Sequence, residues 1–304
     1  MATAPQAADA TYPGRPGVIV FNMIKFSGNG GDYTGGLYAI RPGRENPRQL
    51  TTNAWDYDPS FAPSGKRLVF RRTNSPRSGI YVLDLRGGAT KRVTSMGSDM
   101  DPAFGPQGMV VFSRFVEESG YDLFLRTKEG RLRRLTSDVG RDLEATFTPD
   151  GERIVFFRDY RKAVLASLSS KGISSERREG LYSIRIDGGG LRFLGDLGQA
   201  GSNFDISPSG RFLLFSVLGK VTMDSVESEA RTRPIDGGKS RLVSKNAQFS
   251  TYSPGGRKIA YSNYKGLWVR ATNGGAPTRI FEAEYRPFQM GGRLLVHPAW
   301  QPLP

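Results

Sequence analysis

The chain of 304 residues contains no cysteine. Disulfides, thiolate zinc sites, iron–sulfur clusters and a cysteine nucleophile are therefore excluded. It has one histidine, His297, so a multi-histidine metal site is excluded and any serine triad would have to pass through that residue. No run of apolar residues approaches the 18 or so that a membrane-crossing helix requires. Acidic charge is in short supply: 43 basic residues face 29 acidic ones, for a net charge of +14. Such an imbalance favours anionic partners without selecting one. Turn formers are abundant, with 38 Gly and 19 Pro, which argues against a helical bundle.

Internal repetition is the main signal. Asp58-Pro-Ser-Phe-Ala-Pro-Ser-Gly-Lys-Arg-Leu-Val-Phe70 recurs from Asp101 to Phe112 and from Glu144 to Phe156, with looser copies at 203–215 and 249–261. A second pattern follows each copy, as in Gly79-Ile-Tyr-Val-Leu-Asp-Leu-Arg-Gly-Gly88 and then Lys91-Arg-Val-Thr94. Short Val/Ile/Phe/Tyr runs split by Pro-x-Gly or Gly-Gly turns are strands joined by hairpins. Four strands in a repeat of roughly 40–45 residues are the mark of a β-propeller blade. The second pattern occurs six times. The sixth copy of the first pattern is supplied by Pro298-Ala-Trp-Gln-Pro302 together with Val18-Ile-Val-Phe21; an alternative alignment uses 288–296. Both predict an all-β, six-bladed propeller over residues 17–304; in the first it is closed by the N- and C-terminal strands. Residues 1–16, rich in Ala, Pro and Thr, read as a disordered arm or the linker behind a removed signal peptide.

These Phe/Trp-x-Pro-x-Gly turns, Leu-Tyr and Gly-Gly hairpins, Leu-Thr strand ends and the closing Pro298-Ala-Trp-Gln-Pro-Leu-Pro304 resemble the β-propeller domain of the TolB family. The resemblance spans residues 17–304 and lacks a counterpart of the TolB N-terminal domain. It implies a propeller fold, a binding role and a periplasmic or secreted location.

The loops between the second and third strands vary most in length, so the face that carries them is the expected functional face. The first strands begin on that face, nearest the axis. There the chain reads Asp56-x-Asp58, Asp99-x-Asp101 and Asp142-x-Glu144, followed in later repeats by Asn203 and His297. All are expected at the channel mouth. One reading is structural, with each carboxylate tying one blade to the next. The other is a cation site, calcium first, held by Asp58, Asp101, Glu144 and Asn203. Tyr57 and, in the long insertion 158–180, Arg158 and Arg161 are further candidate contacts. His297 is the only candidate acid or base if the protein is an enzyme. Gly28-Asn-Gly-Gly-Asp32 precedes no helix pattern and reads as a loop rather than a phosphate cradle. Basic pairs such as Lys91-Arg92 and Arg133-Arg134 read as protection of exposed sheet edges.

The functional expectation is a monomeric, non-catalytic binding or scaffold module. It would dock a protein, a peptide or an anionic polymer at the channel mouth. A nucleic-acid partner is not expected. The alternative is a metal-assisted hydrolase or lyase working at the same mouth.

Overall fold

A computed structural model describes residues 11–26, 33–74, 76–117, 119–160, 179–197, 200–221, 226–283 and 292–304. Among them the regular secondary structure is all β-strand, apart from a single 3-10 turn at Pro106–Gly108. The repeat maps directly onto four-stranded antiparallel units. The second unit runs β4 (Asp56–Phe61), β5 (Arg67–Arg72), β6 (Gly79–Asp84) and β7 (Thr90–Arg92). The last two are β16 (Ala200–Ile206) to β19 (Arg241–Lys245), with β17 (Phe212–Val221) and β18 (Val226–Pro234) between, and β20 (Gln248–Tyr252) to β23 (Thr278–Glu282), with β21 (Lys258–Asn263) and β22 (Gly266–Ala271) between.

Two units share one eight-stranded sheet. The strands are β8 (Met100–Phe104), β9 (Val110–Val116), β10 (Gly120–Arg126) and β11 (Leu132–Arg134), then β12 (Gly140–Phe147), β13 (Arg153–Asp159), β14 (Gly180–Arg185) and β15 (Arg192–Gly195). A short parallel pairing of Gly120 with Gly140 and Tyr121 with Arg141 joins them. The first unit combines both chain ends. β24 (Gly292–Leu303) pairs antiparallel with β1 (Arg15–Phe26), which pairs with β2 (Tyr33–Ile40) and then β3 (Arg48–Gln49).

The recurring motifs have physical causes. In the Pro-x-Gly hairpins the glycine N–H closes a tight turn, as Gly65 does on Ala62 O and Gly151 on Thr148 O at 2.8 Å each. Gly65 has a φ of +64°, and a Cβ there would strike the carbonyl of Pro302 in the closing strand. The Leu-Thr strand ends are explained by the threonine hydroxyl. Thr51, Thr94 and Thr136 accept the N–H groups of Leu37, Ile80 and Leu123 at 2.9–3.1 Å, fastening the fourth strand to the third. Core residues fill the spaces between neighbouring sheets. One cluster packs Phe61, Leu68 and Phe70 against Val20 and Leu37; another packs Phe104 and Phe112 against Val69 and Ile80.

The expected arm divides. Residues 1–10 lie outside the described residues, but Thr11 to Pro16 belong to the fold. Tyr12 is 1% exposed and donates to Phe104 O at 3.2 Å. The Gly28–Asp32 loop and Arg161, with the rest of the insertion to residue 178, lie outside the described residues.

Candidate functional site

The paired acids of the three Asp-x-Asp/Glu motifs separate. Asp56, Asp99 and Asp142 do not reach the channel mouth. Each is buried and receives a two-pronged hydrogen bond from the arginine at the end of the second strand: Arg72 at 2.7 and 2.8 Å, Arg114 at 2.6 and 2.9 Å, Arg158 at 2.6 and 2.7 Å. Each guanidinium also lies over two aromatic rings, Phe70 and Tyr81, Phe112 and Phe124, or Phe156 and Tyr182, at 4.6–5.6 Å. Planar arginine suits both contacts at once. These are bracing units inside the sheets. Arg158 therefore belongs to a brace, with a side chain 3% exposed, and is no ligand contact from a lid.

The second member of each motif behaves differently. Asp58, Asp101, Glu144, Asn203, Phe249 and His297 occupy equivalent places in the leading strands, and all six have positive φ, at 53°, 50°, 55°, 115°, 37° and 48°. Every one sits at a break in register with the following strand, such as that between Tyr57 and Ser60 opposite Arg71 and Val69. These are β-bulges built without glycine, a strained conformation that must be held by its surroundings. Five of the six, all but Phe249, line one cavity of about 380 Å³, together with Tyr57, Arg71, Asp205, Thr251 and Trp300.

Side chains link these positions around the cavity. His297 Nδ1 meets Asp58 Oδ1 at 2.7 Å, and its ring stands edge-on to Phe249, with centroids 4.4 Å apart. Asp101 accepts the Glu144 N–H at 3.1 Å, and Glu144 accepts the Asn203 N–H. Thr11 also lines the cavity. Its hydroxyl donates to Asp205 at 2.7 Å, and Asp205 also takes the Thr251 hydroxyl and the Tyr252 N–H.

Burial and charge set its protonation. Burial and the neighbouring Asp58 push Asp101 up to about 6; burial and Asp101 push Glu144 up to about 8. Burial works against a charge on His297, but Asp58, Glu144 and Asp101 outweigh it and raise the imidazole above its ordinary value. Burial likewise opposes the Asp58 charge, and His297 and Arg71 overcome it, leaving Asp58 below the usual range. At neutral pH the mouth holds an uncharged Glu144, with the Asp58 and Asp101 carboxylates set against the guanidinium of Arg71 and the imidazole of His297, whose charged form they favour. It is close to balanced rather than acidic. Calcium asks for several free anionic oxygens. Asp58 meets His297, Asp101 and Glu144 each accept a backbone N–H, and Arg71 and His297 share the space, so a calcium ion would compete with all of these for the carboxylate oxygens. Among the described residues no cluster of three or more His, Asp or Glu side chains has metal-holding geometry.

Tyr57 lines the cavity and packs on Trp55 at 6.2 Å between ring centroids. Sequence reasoning missed Arg71, Asp205 and Thr11. For Arg71 a signal existed, because the Arg71-Arg72 pair departs from the repeat. For Thr11 none did, because nothing local marks a segment that packs nearly 200 residues away.

The TolB beta propeller domain model matches residues 58–270, and the chain belongs to that family. Among solved structures it is similar to TolB from Acinetobacter baumannii, at 18% identity and a TM-score of 0.69, over 96% of this chain and 68% of that one. A gluconolactonase from Xanthomonas campestris matches at 16% identity and a TM-score of 0.52, over 96% of this chain and 97% of that one. An oligogalacturonate lyase from Vibrio parahaemolyticus matches at 10% identity and a TM-score of 0.53, over 94% and 97%. At these identities the likeness is one of fold. None of the curated proteins matches the chain.

Proposed function

We propose that this chain is a six-bladed propeller that acts as a non-catalytic binding module outside the cytoplasm, docking a peptide segment of a protein partner at the channel mouth. The observation that carries this reading is the state of its only imidazole. His297 meets Asp58 at 2.7 Å, and that carboxylate, with Glu144 and Asp101, raises the imidazole above its ordinary value, so the site favours the protonated ring over the free base that proton abstraction needs. What remains is a pocket lined by residues of strained backbone and rich in hydrogen-bonding groups, which is suited to receiving a chain segment. The location rests on the family resemblance. The blade count is supported by the contacts of the leading strands: β4 lies against β8, β8 against β12, β12 against β16, β16 against β20, β20 against β24 and β24 against β4.

The test is site-directed photo-crosslinking in the native host. A crosslinker at position 57, on the mouth, should trap a protein partner. The same group at Lys66, in a hairpin turn at the other end, should not. Equal trapping at both positions, or none at 57, removes the docking reading. Turnover of sugar lactones or uronate oligomers by the purified protein, lost in His297→Gln, would establish the enzyme instead.

A further inference from the structure

The second strand of every repeat carries an aromatic residue followed by one whose place is equivalent throughout. The pairs are Phe21-Asn22, Phe70-Arg71, Phe112-Ser113, Phe156-Phe157, Phe215-Ser216 and Tyr261-Ser262. Five copies hold a small polar residue or a phenylalanine, and Asn22, Ser113, Ser216 and Ser262 are buried. Only the second repeat places an arginine there.

Arg71 lines the channel cavity beside Tyr57, its partner across the strand pair. Its neighbour Arg72, and Arg114 and Arg158, each have an aspartate. Arg71 has none: among the described residues it makes no hydrogen bond or ion pair, and its Nε is shut off from solvent without a partner. A guanidinium carries five N–H donors in a planar fork and pairs best with a carboxylate or phosphate. The cavity decides between them. Asp58 and Asp101 face the same space, which disfavours a dianion and admits a planar monoanion. The Tyr57 hydroxyl, pushed up to about 12 chiefly by burial and then by Asp58, stays protonated as a further donor, and Asn203 and Thr251 line the same walls.

We propose that Arg71 anchors a carboxylate of the docked segment, so that the channel mouth takes an acidic peptide or a chain terminus. This rests on the docking reading above and names its chemistry. The competing account is that Arg71 only balances Asp58 and Asp101 through space; it then needs no ligand.

The single histidine makes the test direct, because its imidazole C–H proton resonance is unambiguous and lies in the cavity. N-acetyl-glycylglycine and its C-terminal amide are titrated separately at constant pH near 6.5. The carboxylate should shift the His297 resonance saturably, and the amide should bind at least about tenfold more weakly, a difference of about 1.4 kcal/mol. Arg71→Met should abolish the saturable shift, and Arg71→Lys, which keeps charge but loses the fork, should weaken it several-fold. Indistinguishable carboxylate and amide, a linear drift without saturation, or an unchanged response in Arg71→Met would overturn the anchor. If neither variant folds, the carboxylate–amide comparison on the unmodified protein still decides. A partner trapped at position 57 without carboxylate preference leaves docking standing and removes the anchor. Saturable carboxylate binding with no trapped partner does the reverse.

Discussion

Two aspartates two residues apart have opposite fates in this protein, and the cause is one backbone angle. In a regular strand residues i and i+2 share a face, so Asp56 and Asp58 read as neighbours at the mouth. The positive φ of Asp58 breaks that alternation. Asp56 stays in the sheet and braces Arg72, while Asp58 turns to the channel. The brace makes a clear prediction. Asp142 and Arg158 are the most buried pair, so Arg158→Met leaves an uncompensated carboxylate in the protein interior and should cost about 3–5 kcal/mol, read by denaturant unfolding. Removing both partners, as in Asp142→Leu with Arg158→Met, should recover much of the loss. The channel acids predict a pH dependence. Asp101 and Glu144 have folded-state values raised above their ordinary ones, as does His297. The stability each contributes is full at pH below its ordinary value and is lost as pH rises through the raised one. Asp58 has the opposite sign and contributes only above about pH 4. Stability should therefore peak in mild acid and decline towards pH 9. Glu144→Gln should flatten the decline between pH 4.5 and 8, so that its melting temperature gains on that of the unmodified protein as pH rises. A constant difference between the two across that window would contradict the assignment.

At the scale of elements, strands and turns were legible because each repeats a local rule. Pro-x-Gly closes a turn, and Leu-Thr returns a hydroxyl to the preceding strand. The bulges were not legible, since Asp, Glu, Asn, Phe and His have no shared preference for a left-handed backbone strong enough to mark the place. The positions themselves were found through the repeat, and their separation from Asp56, Asp99 and Asp142 was not. Asp58, Asp101, Glu144 and Asn203, the calcium set that the repeat suggests, line one cavity. Two of the carboxylates there accept backbone N–H groups and a third pairs with His297. The bulge can be tested separately from the charge. Asp101→Asn keeps a short polar side chain that tolerates positive φ, whereas Asp101→Val places a β-branched residue there. The valine variant should be less stable than the asparagine variant by roughly 1–3 kcal/mol, the cost of a residue held in a disfavoured region. Equal stability would mean that the backbone angle carries no strain.

At the scale of the molecule, both chain ends meet in one sheet, and the segment ahead of it packs beside the channel cavity. No rule of local sequence announces this. Thr11 and Tyr12 sit in a stretch whose composition reads as a linker, and their contacts are with Asp205, Ile206 and Phe104. Tyr12 fills the space beside Ala103, Ala145 and Phe147, and Gly14 lies against the backbone of Leu303. The segment therefore ties together repeats that are far apart in the chain. Tyr12→Ala removes a fully buried ring from the space beside Ala103, Ala145 and Phe147. The cost should be about 3–5 kcal/mol. Thr11→Val keeps the shape but takes one donor from the buried Asp205 carboxylate, for about 1–3 kcal/mol. Neither residue touches the Asp58–His297 pair, so the His297 resonance should keep its titration in Thr11→Val. In Tyr12→Ala the space beside Ala103 and Ala145, which also line the cavity, opens to water; this weakens every interaction made in low dielectric, and the His297 value should fall back towards its ordinary range. A Tyr12→Ala protein that loses stability while His297 titrates unchanged would show that the ring holds the molecule together without shaping the site.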